Sequence, residues 1–97
     1  MPLTSPQTRY LRGLAHSLKP VLMVGSKGLS APLYAELEQA LEAHELIKVS
    51  IASTEREERQ ALTLALCKHG HAELVQIIGR ISVLYRPARK PKLVLPA

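Results

Sequence analysis

Between a short apolar run and a candidate helix the chain carries Gly25-Ser26-Lys27-Gly28. A glycine-x-x-glycine turn in that position can bring backbone N–H groups against a phosphate, and the helix N-terminus behind it adds partial positive charge. Lys27 would supply a full charge. Glycine matters at such a turn because a side chain would hold the phosphate away. The chemistry implied is anion binding, not bond making.

Fuller phosphate motifs narrow the class. The segment lacks G-x-x-x-x-G-K-[ST] and G-x-G-x-x-G, so neither a P-loop nor a dinucleotide fingerprint is present. KH-type domains clamp a nucleic-acid backbone with a loop of the shorter pattern. Charge points the same way: 13 Lys and Arg against 8 acidic residues give +5, with a sequence pI near 9.7, which suits a polyanionic partner. The distribution is segregated. Arg9, Arg12, Lys19 and Lys27 precede any acid, Glu36, Glu38, Glu42 and Glu45 follow without a base, and the end of the chain carries Arg80, Arg86, Arg89, Lys90 and Lys92. One electropositive surface and one acidic face are expected.

Catalytic patterns are sparse. The chain has no Asp, no nucleophile-elbow motif and no H-E-x-x-H extending from His44 and Glu45. Cys67, His69 and His71 are spaced two apart, which sends them to different sides of a helix, with Cys67 toward the polar side and His69 toward the apolar one. No enzyme activity, metal site or cofactor is expected.

The elements that would position these residues read as follows. Ser5-Pro6 opens a helix whose Leu11, Leu14, Ala15 and Leu18 form an inner face while Arg9, Arg12 and His16 form a basic outer stripe, until Pro20 ends it. Val21-Leu22-Met23-Val24 reads as a strand buried on both faces. Ser30 caps a second helix, with Leu33, Leu37, Ala40, Leu41 and His44 inward and Glu38, Glu42 and Glu45 directed away from the core. Ile47, Val49 and Ile51 alternate with Lys48 and Ser50, a strand with one wet face that displays Lys48. Thr54 and Glu57 have capping-box spacing for a third helix, with Ala61, Leu62, Ala65 and Leu66 on its apolar face and Gly70 at its end. Residues 74–78 and 81–85 form an antiparallel hairpin around Gly79-Arg80, a pair suited to a type II′ turn. The expected fold is a single compact α/β domain over residues 1–97, of order α-β-α-β-α-β-β, with helices packed on a mixed four-stranded sheet. Residues 87–97 are expected to be a basic, loosely held Pro/Lys-rich tail.

At 97 residues, 46% hydrophobic and 22% charged, the composition is that of one folded domain. No stretch approaches the roughly 18 apolar residues of a membrane span, the start lacks a secretory pattern, and the single Cys67 offers no internal disulfide. A cytoplasmic protein without membrane or small-molecule partners is expected.

These residues also carry a family resemblance. Leu11-Arg12-Gly13-Leu14-Ala15-His16, Leu18-Lys19-Pro20-Val21, the Gly25-to-Leu29 loop, Glu38-Gln39-Ala40-Leu41-Glu42, His44-Glu45-Leu46-Ile47-Lys48-Val49, Val75-Gln76-Ile77-Ile78-Gly79-Arg80 and Val83-Leu84-Tyr85-Arg86-Pro87 together resemble the CRM domain family in its stand-alone bacterial, YhbY-like form. The resemblance implies a fold similar to the C-terminal domain of translation initiation factor three and RNA binding through the loop and nearby bases. It further implies association with large-subunit ribosomal precursors during assembly. The candidate RNA-binding residues are Gly25, Ser26, Lys27, Gly28, Arg9, Arg12, Lys19, Lys48 and Arg86.

The residues constrain how RNA would be gripped. With no Phe or Trp, and only Tyr10, Tyr34 and Tyr85, aromatic stacking cannot dominate, so phosphate contacts and shape should, with strong salt dependence. Tyr34 and Tyr85 are expected at the core edge. The alternative is a protein-interaction module, whose glutamate-rich second helix docks on a basic ribosomal protein.

Overall fold

Alternation in Ile47, Val49 and Ile51 makes their strand the pivot of the sheet: three apolar side chains bury on one face while Lys48 and Ser50 stay half-exposed on the other. The computed structural model describes residues 2–25 and 27–97. Its elements are α1 (Ser5–Ala15), β1 (Pro20–Val24), α2 (Ala31–His44), β2 (Leu46–Ile51), α3 (Arg56–Gly70), β3 (Glu73–Ile78) and β4 (Ile81–Tyr85). The order and the mixed four-stranded sheet are those the sequence predicts. Strand order is β1-β2-β4-β3, with β1 parallel to β2 and the other pairs antiparallel.

Two apolar layers clamp this sheet. On one face Leu33, Leu37 and Leu41 of α2 and Leu66 and Cys67 of α3 close over Leu22, Val24, Ile47, Val49, Ile51 and Leu84. On the other, Leu11 and Ala15 of α1 close over Leu46, Val75, Val83 and Tyr85. Full burial of side chains such as Leu11 or Leu37 contributes about 1.5–3 kcal/mol each.

Several local expectations are corrected. The cap of α1 is Thr4, in a reciprocal box with Gln7, and the helix stops at Ala15, so Leu18 lies beyond it. β1 is an edge strand covered on one face only: Val21 is 50% and Met23 68% exposed, because α1 packs over β2, β3 and β4 and leaves β1 open. α3 begins after Glu55 with no side-chain cap. It buries Thr63, Leu66, Cys67 and Gly70, a face rotated from the expected one. Thr63 can sit inside because its hydroxyl donates to the Arg59 carbonyl at 2.8 Å and shares a 2.6 Å hydrogen bond with Ser82. Gly70 is the last helical residue, and a Cβ there would lie 3.0 Å from Leu41 Cδ1, so the left-handed residue that ends the helix is His71.

The largest correction concerns the acid. Glu45 does not point away from the core; it is 1% exposed at the end of α2, and its carboxylate accepts backbone N–H bonds from Ala88, Lys92 and Leu93, each 2.9 Å. Glu42 accepts from the Arg89 N–H at 2.9 Å. Leu93 and Leu95 then pack beside α1, and Gln7 Nε2 donates to the Pro96 carbonyl at 3.0 Å. The tail is therefore a strap fixed at one end of the sheet, not a loose segment.

Candidate nucleic-acid interface

Two crossing hydrogen bonds define the opposite end of the sheet. The Ala52 N–H donates to the Val24 carbonyl at 2.9 Å and the Ile51 N–H to the Arg80 carbonyl at 2.8 Å. The turn after β1, the chain after β2 and the β3–β4 hairpin therefore converge. Gly79 has φ +56° while Arg80 stays out of the positive region, as a type II′ turn requires.

In the turn after β1, the Gly28 N–H closes on the Gly25 carbonyl at 3.0 Å and Gly28 takes φ +73°, a conformation that favours glycine. Ser26 lies outside the described residues, while Lys27 is exposed. Leu29 packs against the core and Ser30 caps α2, accepting the Leu33 N–H at 3.3 Å, so the first turn of α2 is anchored directly behind the loop. Its N-terminal dipole favours an anion there. A Cβ built on Gly25 meets nothing within 4 Å, and its φ is not positive, so nothing among the described residues requires glycine at 25.

The other candidate residues divide. Arg12 and Lys48 line one groove between α1 and the sheet, together with His16 and Gln76. Lys48 sits three residues before the end of β2, about 10 Å from the loop end along the strand. Arg9 is exposed one helical turn before Arg12. Lys19 is not brought to the loop: it precedes β1 at the strand's far end, beside a 540 Å³ cleft lined by Leu14, Leu18, Val21 and Leu93. Arg86 is also elsewhere, its guanidinium bonded to Glu38 at 2.7 Å and to the Gly70 carbonyl at 3.0 Å. That hydrogen bond, with the Arg86 charge, holds the Glu38 carboxyl below its ordinary value. Arg80, which is exposed, was missed by sequence reasoning; a base at the second position of a two-residue turn was the available signal.

The cysteine and histidines of α3 are not brought together. Cys67 is buried and His69 exposed, the reverse of the sequence expectation, because the packed face of α3 is rotated. Burial, with Glu73 nearby, pushes the Cys67 thiol up to about 11, so it is a protonated core residue at neutral pH. His69 instead stacks on Tyr34, ring centroids 3.7 Å apart. Tyr85 is a core residue, 5% exposed. Among the described residues no cluster of three His, Cys, Asp or Glu could hold a metal, and no helix is long and apolar enough to cross a membrane.

Residues 3–86 match the family described as the CRS1 / YhbY (CRM) domain. The chain belongs to the CRM domain family. This CRM domain is 47% identical over 94 residues to a Haemophilus influenzae protein named RNA-binding protein, covering 97% of this chain and 95% of that one. A Pseudomonas aeruginosa protein named "Probable RNA-binding protein" is 46% identical over 91 residues, covering 94% and 88%. The solution structure of a Staphylococcus aureus hypothetical protein, described as "a putative RNA binding protein", superposes with TM-score 0.85 at 36% identity, covering 97% of this chain and 99% of that one. The family match stops at Arg86, so the strap held by Glu45 lies beyond it.

Proposed function

We propose that this CRM domain binds RNA by its phosphate backbone, without catalysis, in the cytoplasm, and that its target is ribosomal RNA in large-subunit precursors. The observation that carries the reading is the open loop: among the described residues nothing needs glycine at 25, and an approaching phosphate supplies that need. Relatives named as RNA-binding proteins support the polymer, and the resemblance to the YhbY-like form supports the particle. Lys27 and Arg80 at the loop end, with Arg12, His16 and Lys48 along the groove, form the cationic track. Gly13 joins it: it lies exposed in α1 between Arg9 and His16, and a Cβ there also meets nothing within 4 Å. If Lys27, Arg80, Arg12 and Lys48 each neutralise one phosphate, the slope of log K against log salt is roughly −3 for a single strand.

Docking of the acidic helix on a basic protein has less support. Glu38 bonds Arg86, while Glu42 and Glu45 accept N–H groups of the strap, so the carboxylates are engaged within the chain. The deciding experiment compares the wild type with a Ser26→Asp, Lys27→Asp variant for binding to a large-subunit ribosomal RNA fragment across a salt series. Circular dichroism confirms that both are folded. At least a tenfold loss is expected; an affinity within about threefold of wild type, roughly 0.7 kcal/mol, overturns the loop as the clamp.

A further inference from the structure

Strand register places Met23 beside Ser50, Ser50 beside Ile81 and Ile81 beside Ile78, one row across all four strands. The row lies on the α1 side of the sheet, since the neighbours Leu22, Val24, Val49 and Ile51 bury on the other. α1 does not cover it fully: Met23 is 68% and Ile78 59% exposed. Single exposed apolar residues need no explanation, but a row that ends two residues from the phosphate loop does.

Where the row passes α1 it becomes a groove of 180 Å³. Ile78, Ile81 and Val83 give it an apolar lining, and Arg12, His16, Lys48 and Gln76 supply polar groups. None of the described residues that line it is acidic. The volume falls below the roughly 300 Å³ at which pockets for drug-sized ligands begin, so it suits a single ring system. An unpaired nucleotide has the matching chemistry: a flat weakly polar face, a hydrogen-bonding edge and a flanking negative charge. Guanidinium planes stack on bases, and an amide offers both donors and an acceptor to a base edge.

We propose that this groove is a subsite for one unpaired nucleobase of RNA, with Ile78 and Ile81 against its face, Gln76 at its edge, and Arg12, His16 and Lys48 at the adjoining phosphates. The proposal rests on the reading that this domain binds RNA. It adds a preference for unpaired strands that phosphate contacts alone do not give.

The test uses the full chain, a short single-stranded RNA and the same strand built from abasic ribose units, which keeps the phosphates and removes the bases. The variant is Gln76→Ala, Ile78→Ser, with Ile78 exposed and Gln76 half-exposed, so the core is left intact. Wild type should prefer the base-bearing strand by at least about fivefold, the low end of what one base contact contributes. The variant should bring that ratio near one, while its affinity for the abasic strand and its salt slope stay unchanged. Equal wild-type affinity for both strands overturns the subsite and leaves phosphate binding standing. A ratio that survives in the variant places base contact elsewhere and also overturns it. Failure to bind either strand overturns the RNA reading and the subsite with it.

Discussion

The two ends of the sheet handle charge in opposite ways. At the strap end, Glu38 pairs with Arg86, Glu42 takes the Arg89 N–H, and Glu45 takes three N–H groups of the strap. At the loop end, Lys27 and Arg80 are exposed, and among the described residues neither forms an ion pair. At the strap end three glutamates work as internal glue, and at the loop end two bases are left open to a partner. The segregation visible along the chain is therefore not two matching docking faces: Glu38, Glu42 and Glu45 of α2 are engaged by Arg86 and the strap, while Lys27 and Arg80 stay available.

The comparison breaks most visibly at Glu45. Its backbone sits at φ 64°, ψ −51°, a sparsely populated conformation costing roughly 1–3 kcal/mol, which the three N–H bonds offset. Glu45→Ala removes the carboxylate that accepts all three donors and should destabilise the fold by about 3 kcal/mol in urea melts. Residues 88–97 should become cleavable in limited proteolysis, while RNA affinity of the folded variant at the loop changes less than twofold. A stability loss under about 0.5 kcal/mol, the range of ordinary surface substitutions, would put the two ends in one class.

Acid should reproduce part of that loss. Burial raises the Glu45 carboxyl, but the N–H groups of Ala88, Leu93 and Lys92 and the Lys92 charge outweigh it and leave it below the usual 4.5. A depressed folded value means the stabilisation is complete above the unfolded value and is lost as pH falls through the folded one. Strap protection from proteolysis should therefore hold at neutral pH and decline only below about 4.5. Glu45→Gln should flatten that decline. An unchanged pH profile in the Gln variant would move the acid sensitivity to another carboxylate, such as Glu38.

The sequence makes the loop end more legible than the strap end, for a physical reason. The loop is local: Gly25, Lys27 and Gly28 are adjacent, Ser30 caps the next helix, and turn chemistry depends on neighbours a few residues away. The hairpin and the alternation in β2 are legible on the same ground. Glu45 and its donors stand 43 to 48 residues apart, so a glutamate on a periodic polar stripe looks solvated until the strap arrives. β1 misleads for a related reason: an apolar run fits a strand buried on both faces, and only the placement of α1 over β2, β3 and β4 exposes Val21 and Met23. In α3 the packed face holds Thr63 and Gly70, residues that a hydrophobicity pattern passes over.

Gly13 gives the smallest effect and the sharpest sign. Inside α1 it has helical backbone, no crowding neighbour and no positive φ, so alanine fits, and Gly13→Ala should stabilise the fold by about 0.5–1 kcal/mol. The added methyl also stands between Arg9 and His16, where RNA would approach the helix most closely. Thermal melts should therefore shift upward while RNA affinity falls about two- to fivefold, a loss that added stability cannot explain. A variant that is more stable and binds RNA as before would remove α1 from the interface and leave the loop end to act alone.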